Sequence, residues 1–271
     1  MHSFKHALIT GGSSGIGLAL AKKLVVEGTD VCLLARDLEK LQAAKQSLNE
    51  LIVREGQQVQ ILSADVSNYE SLINTLEEWT GDFGVPDLVV NSAGVVYPGY
   101  FQALAIDTFK WQMDINYFGT LHVLKCLIPG MIERGSGTIV NISSVAGFIG
   151  TFGYSGYGAS KYAVRGLSDV LRAELKPLGI QVSCVFPPDT QTPQLDFDNQ
   201  KKPFETKFLA KNNTVLTSEQ VATAILKGIR KGRYVIIPGF DGKLIYFLIH
   251  LLGNLSYPIM DLIIRKAQKS K

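Results

Sequence analysis

A chain of 271 residues is long enough for one large α/β domain or two small ones. With 46% hydrophobic and 19% charged residues it has the make-up of an ordinary folded protein. A net charge of +3 spread over scattered Lys and Arg excludes the concentrated basic surface of a nucleic-acid binder. Cys32, Cys126 and Cys184 sit at unrelated spacings inside apolar segments, which argues against a disulfide framework or a metal site and for a reducing cytosol. The opening MHSFKHALIT runs straight into the first apolar segment, so no secretory leader is expected.

In chain order, His6 to Thr10 reads as a strand, Ser14 to Glu27 as a helix and Asp30 to Ala35 as a second strand. Leu38 to Glu55 reads as a helix, Gln58 to Ser63 as a third strand, Tyr69 to Thr80 as a helix and Asp87 to Asn91 as a fourth strand. One long helix is expected over Ile106 to Arg134, then the strand Gly137 to Ser143, a helix from Tyr157 to Lys176 and the strand Ile180 to Phe186. Uninterrupted Val/Ile/Leu strands alternating with helices predict a parallel sheet covered on both faces, a single doubly wound α/β domain over residues 1–240. Pro187 to Thr214 is polar and rich in Pro, Thr, Lys and Asn, and predicts a mobile substrate loop. Thr217 to Gly228 predicts an amphipathic helix capped by Ser218.

Thr10-Gly11-Gly12-Ser13-Ser14-Gly15-Ile16-Gly17 joins the first strand to the first helix. Glycines there allow a tight turn and a close backbone approach to a pyrophosphate, whose charge suits a helix N-terminus. A plain strand-to-helix turn is the alternative, and the flanking βαβ context favours the dinucleotide reading. The second strand ends in Ala35-Arg36, with no carboxylate to hold a ribose 2′-hydroxyl. Arg36, with Lys40 one turn further on and Ser13 and Ser14 nearby, can instead meet a 2′-phosphate, so NADP is favoured over NAD. Asp65-Val66 offers either an acceptor for the adenine amine or an N-cap for the next helix. Asn91, Ala93 and Gly94 end the fourth strand, where small residues admit the cofactor's ribose or simply turn the chain.

Tyr157 and Lys161 lie four residues apart on one face of a helix. A free tyrosine titrates at about 10, and a neighbouring ammonium favours its phenolate. Ser144, at the end of a strand thirteen residues earlier, can hydrogen-bond a substrate oxygen, and Asn116 can organise a water leading to Lys161. A Tyr/Lys pair alone is common on helices. Its company with Ser144, Asn116 and the glycine turn is not.

With these motifs the chain resembles the short-chain dehydrogenase/reductase family over roughly residues 3–230. The resemblance implies a Rossmann-type fold and an NADP(H)-dependent oxidoreductase. Tyr157 would exchange the proton, Lys161 would lower its pKa and hold the ribose, Ser144 would position the substrate and Asn116 would support the relay. Where most members carry Pro-Gly after the sixth strand, this chain has Pro187-Pro188-Asp189-Thr190-Gln191-Thr192-Pro193. The resemblance implies that Pro187, Thr190 and Thr192 would fall beside the nicotinamide, with Thr192 serving its amide. That run and Asn199 to Glu205 resemble the 3-ketodihydrosphingosine reductase branch, which implies reduction of a long-chain 3-keto lipid. Reduction of 3-oxoacyl thioesters, oxidation of a steroid-type hydroxyl and a non-catalytic NADP-binding sensor are the rival readings. The family also implies a homodimer or homotetramer through the helices bearing Asn116 and Tyr157.

The end of the chain, residues 241–271, is an apolar extension. Leu244 to Leu252 is broken only by His250, and Gly253, Asn254, Ser256, Pro258 and Asp261 interrupt the apolar run beyond it, so a clean transmembrane helix is not expected. A core or interface helix, a helix lying peripherally on the cytoplasmic membrane face beside the basic run Arg265 to Lys271, and a wall for an acyl chain all fit. His250 has no partner spaced for a metal site.

Overall fold

The computed structural model describes residues 4–211 and 213–271. Its first half alternates strand and helix: β1 (His6–Thr10), α1 (Gly15–Val26), β2 (Asp30–Ala35), α2 (Leu38–Asn49), β3 (Val59–Ser63), α3 (Tyr69–Phe83) and β4 (Leu88–Asn91). Then come α4 (Ile106–Met113), a π-helical segment (Asp114–Phe118), α5 (Gly119–Arg134), β5 (Gly137–Ile142), α6 (Ser155–Leu175) and β6 (Ile180–Val185). The polar stretch after β6 holds a two-residue strand β7 (Thr190–Gln191), α7 (Pro193–Lys201) and α8 (Phe204–Ala210). It is therefore largely helical, where the sequence predicts a loop. The chain finishes with β8 (Leu216–Thr217), α9 (Ser218–Arg230), β9 (Val235–Ile236), α10 (Asp241–Leu252) and α11 (Ser256–Lys269).

Seven strands form one parallel sheet in the order β3-β2-β1-β4-β5-β6-β9. Strands buried on both faces need helices on both sides, and two apolar clusters supply them. One packs α1, α2 and α9 under Ile9, Leu33 and Val90; the other packs α3 and α5 over Leu8, Val89 and Ile139. The strand order reverses between β1 and β4, and the crevice at their carboxyl ends is where such sheets take ligands. The cap of α9 is Thr217 rather than Ser218: its hydroxyl accepts from the Gln220 amide while the Gln220 side chain accepts from the Thr217 amide.

The extension begins by packing. Ile245, Tyr246 and Ile249 of α10 lie on Phe148 and Phe186, with the Phe148 and Tyr246 rings 5.0 Å apart and edge-on. Beyond that stripe the apolar surface has no cover among the described residues: Phe240 is 74%, Leu251 68% and Tyr257 69% exposed. A buried core helix is thus ruled out for most of the segment. A 3-10 turn at Gly253–Leu255 separates α10 from α11, whose far end returns to the body, with Ala267 fully buried and the Lys271 ammonium donating to the Tyr100 hydroxyl at 3.3 Å. Contrary to the expectation from its interruptions, Asp241–Lys269 is long and apolar enough, by length and composition, to cross a membrane. The His250 ring meets the Tyr246 carbonyl at 2.8 Å.

Candidate active site

The crevice is a cavity of about 340 Å³ whose floor is the turn after β1 and whose far wall comes from α7, α8 and α10. Gly11 sits at φ +64°, and a Cβ there would come within 2.8 Å of the Ala93 amide nitrogen; a Cβ on Gly17 would lie 2.5 Å from the Gly11 carbonyl. Only glycine allows the turn to fold this tightly onto β4. Ser14 precedes α1 but caps none of its amides, so within the described residues the first-turn N–H groups stay open to an anion. Gly11, Ser13, Ser14, Gly15 and Ile16 all line the cavity, and this cradle fits a dinucleotide pyrophosphate.

At the end of β2, Arg36 is 58% exposed along its side chain and lies 3.6 Å from Asp65. Lys40 is paired at 3.0 Å with Asp37, which also caps α2. Asp65 does not cap α3, a role taken by Asn68; it accepts instead from the amide and hydroxyl of Ser67, at 2.9 and 2.7 Å. Val66 is buried against Gly119, and its carbonyl meets His122 at 2.8 Å. Asn91 is committed to the sheet, donating to Asn141 at 2.9 Å, while its own Oδ1 has no hydrogen-bond partner among the described residues. The Thr10 hydroxyl receives the amides of Ser92 and Ala93, both at 3.1 Å, and so holds the β4 turn against β1.

Gly94 passes between Asn116 and Lys161: a Cβ there would lie 3.2 Å from the Asn116 Oδ1 and 3.3 Å from the Lys161 Nζ. Asn116 stands in the π-helical segment, an extra-wide turn within the long helix. Its side chain accepts from the Val95 amide at 2.8 Å and donates to the Val95 carbonyl at 2.9 Å and the Ser160 hydroxyl at 2.8 Å. Both amide hydrogens are used, so the side chain clamps the β4 loop to α6 rather than donating to a water chain.

Tyr157, Lys161 and Ser144 line the cavity together. Lys161 donates to the Ile142 carbonyl at 2.9 Å and lies 5.7 Å from the centre of the Tyr157 ring. Burial pulls this ammonium down to about 8. Burial likewise pushes the Tyr157 phenol up to about 12, outweighing the hydrogen-bonding pull of Ser144 and, more weakly, Gln194. Desolvation thus dominates at Tyr157, opposite to the lowering expected from the spacing alone. Of the residues after β6, Pro187, Thr190 and Thr192 reach the cavity. Thr192 caps α7, accepting from the Leu195 amide at 3.2 Å, and a Cβ on Gly15 would come within 2.9 Å of its methyl.

The residues that sequence reasoning missed come from the polar stretch and from the start of α6. Tyr154, Asp189, Asp198 and Lys202 line the same cavity. Asp198 accepts from the Tyr154 hydroxyl at 2.7 Å and pairs with Lys202 at 3.0 Å. Charged residues in a polar run give no sequence signal of burial.

A doubly wound sheet carrying a phosphate cradle beside a Ser–Tyr–Lys cluster defines an NAD(P)-dependent oxidoreductase that interconverts C=O and CH–OH. The family model described as short chain dehydrogenase matches residues 5–203. The chain belongs to that family. The 3-ketodihydrosphingosine reductase of Bos taurus is 38% identical over 241 residues, 89% of this chain and 73% of its own. A short chain dehydrogenase/reductase from Burkholderia phymatum, solved in complex with NAD, superposes with a TM-score of 0.82 at 26% identity, covering 94% of this chain and 97% of its own. A short-chain dehydrogenase from Sphingobium yanoikuyae in complex with NADPH gives 0.77 at 28%, over 93% and 95%.

Proposed function

We propose that this chain reduces a long-chain 3-keto lipid with NADPH, converting 3-ketodihydrosphingosine to dihydrosphingosine. The observation that carries the substrate is the 38% identity to the Bos taurus reductase of that name. The cavity agrees with it: Val96, Leu195, Leu209 and Ile245 offer an apolar wall to an alkyl chain, and Ser144 and Tyr157 stand at its reacting end.

When bound, NADPH supplies a hydride to the carbonyl carbon. Tyr157 donates its phenolic proton to the carbonyl oxygen, completing CH–OH. A phenol held near 12 is protonated at neutral pH, the form an acid requires. Ser144 fixes the carbonyl oxygen by hydrogen bonding. The Lys161 ammonium stabilises the phenolate left behind and stays close enough to the β4 loop to hold the ribose. Asn116 is a positioning residue, fixing Val95 and Ser160 around the other three.

When bound, the pyrophosphate would be held by Gly11 to Gly17 and the 2′-phosphate by Arg36 with help from Lys40, with Asp65 and Val66 toward the adenine. Asn91, Ala93 and Gly94 would serve the ribose, and Pro187, Thr190 and Thr192 the nicotinamide. Residues 1–240 form the catalytic domain and 241–271 extend it onto the cytoplasmic face of a membrane, where a water-insoluble substrate resides. Uncovered apolar side chains on α10 and α11 next to the cations Arg265, Lys266 and Lys269 support that placement. Exposed Phe118, Tyr162 and Val170, around α5 and α6, support self-association through those helices.

The test is NADPH consumption with 3-ketodihydrosphingosine in mixed detergent, with NADH and a short 3-oxoacyl thioester in parallel. Turnover of the sphingoid ketone with NADPH is expected. Turnover of the thioester alone would leave the oxidoreductase assignment and remove the lipid one.

A further inference from the structure

The proposed substrate carries an amine on the carbon next to the reacting carbonyl, and at neutral pH that amine is a cation. The cavity wall holds a group of charges with no role in hydride or proton transfer. Asp198 projects from α7 and Asp189 from the turn after β6, and both line the cavity with Tyr157. Between them stands one cation, Lys202, 3.0 Å from Asp198 and 3.5 Å from Asp189, with its ammonium also donating to Asn199 at 2.9 Å. Two carboxylates against one ammonium leave one negative charge in excess.

That excess is not relieved elsewhere. Asp198 is only 5% exposed. Its Oδ2 takes the Tyr154 hydroxyl and Lys202, but its Oδ1 is shielded from solvent and meets no hydrogen-bond donor among the described residues. A buried carboxylate oxygen without a partner leaves part of the Asp198 charge unneutralised inside the wall, which favours a cation nearby. Burial accordingly holds the Asp198 carboxyl above its ordinary value. The pair is also at the right depth: the Tyr154 and Tyr157 rings are 5.7 Å apart, and both carboxylates raise the pKa of the Tyr157 phenol.

We propose that Asp189 and Asp198 form the subsite for the ammonium of a 2-amino-3-ketone, so that this site selects amino ketones over plain ketones of equal chain length. Asp189, the more exposed and the more loosely paired of the two, meets the amine directly, and the buried Asp198, held by Lys202, adds its negative charge behind it. Lys202 keeps the two carboxylates together without neutralising both. The inference rests on the sphingoid reading of the substrate, and its test separates the two.

The experiment measures kcat/KM with NADPH for 3-ketodihydrosphingosine and for the same ketone with hydrogen in place of the amine. The wild type is expected to prefer the amino ketone at least tenfold, about the worth of a charge-assisted hydrogen bond. Asp189→Asn and Asp198→Asn each reduce that ratio at least tenfold, with the loss falling on KM. Tyr154→Phe removes the neutral bond to Asp198 but keeps both charges, so it retains the ratio; quenching on NADPH binding reports that each variant is folded. Parallel loss on both ketones in the Asn variants, or a wild type that does not discriminate, overturns the amine subsite and leaves the sphingoid reading standing. A wild type that reduces neither long-chain ketone removes both.

Discussion

Tyr157 and Lys161 are shifted by the same cause in opposite directions. Burial disfavours the charged form of each, so the phenol rises to about 12 and the ammonium falls to about 8. Removing the phenolic proton with Tyr157→Phe is expected to lower kcat about a thousandfold while leaving NADPH binding intact, as single-turnover and fluorescence titrations would show. The buried ammonium of Lys161 also weighs on stability. Its folded value lies below the unfolded value of about 10.4, so the unfolded state binds the extra proton between the two. The penalty is present in full below pH 8 and fades as pH rises toward 10, a gain of about 2 kcal/mol between pH 7 and 9.5. Lys161→Met should erase that rise in a chemical-denaturation series at the two pH values, and turnover with it. At the edge of the cofactor site, Arg36→Ala should raise the KM for NADPH tenfold or more and leave that for NADH nearly unchanged, which steady-state kinetics would read.

Among the elements, the π-helical segment accounts for the placement of Asn116. One extra residue in the turn sets its side chain against Val95 and Ser160, where its three bonds are all 2.8 to 2.9 Å and the one to Ser160 is buried. Asn116→Ala would strand the Val95 amide and carbonyl, cost about 2–3 kcal/mol and lower the melting temperature by several degrees, with kcat falling as the β4 loop loosens. By contrast, Thr217 caps α9 without lining the cavity, so Thr217→Ala should lose about 1 kcal/mol in denaturant unfolding with kcat/KM largely kept. The six long strands were legible to within a residue, because unbroken Val/Ile/Leu runs bounded by glycine or polar turns have few other fates. Less was legible where the determinant is not in the pattern. Widening a helix to the π form leaves no periodic mark, and the expected continuous helix over Ile106 to Arg134 conceals it. β9 is two residues long and shows no alternation. α2 stops at Asn49, six residues early, where the chain turns back and Gln57 reaches over to bond the Val25 and Thr29 carbonyls. The stretch after Phe186 reads as loop because its inward-facing residues, Asp198, Lys202 and Glu205, are the types least expected inside. The reacting residues were legible and the charged wall opposite them was not.

For the molecule as a whole, exposed apolar side chains concentrate in the C-terminal extension. Phe101, Ile106, Val53 and Val170 are exposed on the body, but Phe240, Phe247, Leu251, Leu255, Tyr257 and Leu262 all fall within residues 240–271. A span of about 20 apolar residues would suffice to cross a bilayer, but the glycine turn at Gly253 and the docking of Ala267 on the body favour a segment lying in the interface. The full chain should therefore sediment with vesicles of phosphatidylcholine containing phosphatidylserine. Replacing Phe247, Leu251 and Leu255 with serine should leave it in the supernatant, and raising the salt should weaken binding only partly, since the apolar contribution is not screened.

A side chain on Gly15 would come within 2.9 Å of the Thr192 methyl, so two parts of the molecule that otherwise look independent are neighbours. Gly15 belongs to the phosphate turn, and Thr192 starts the helix that walls the ketone pocket. A pyrophosphate seated in the turn would therefore lie beside the start of α7 and give it a floor to rest on. Dinucleotide is then expected to bind before lipid, and alcohol to leave before NADP+. The kinetic signature is a product that competes with NADPH but not with the ketone, and a lipid pocket whose shape is completed only once the turn beneath it is filled.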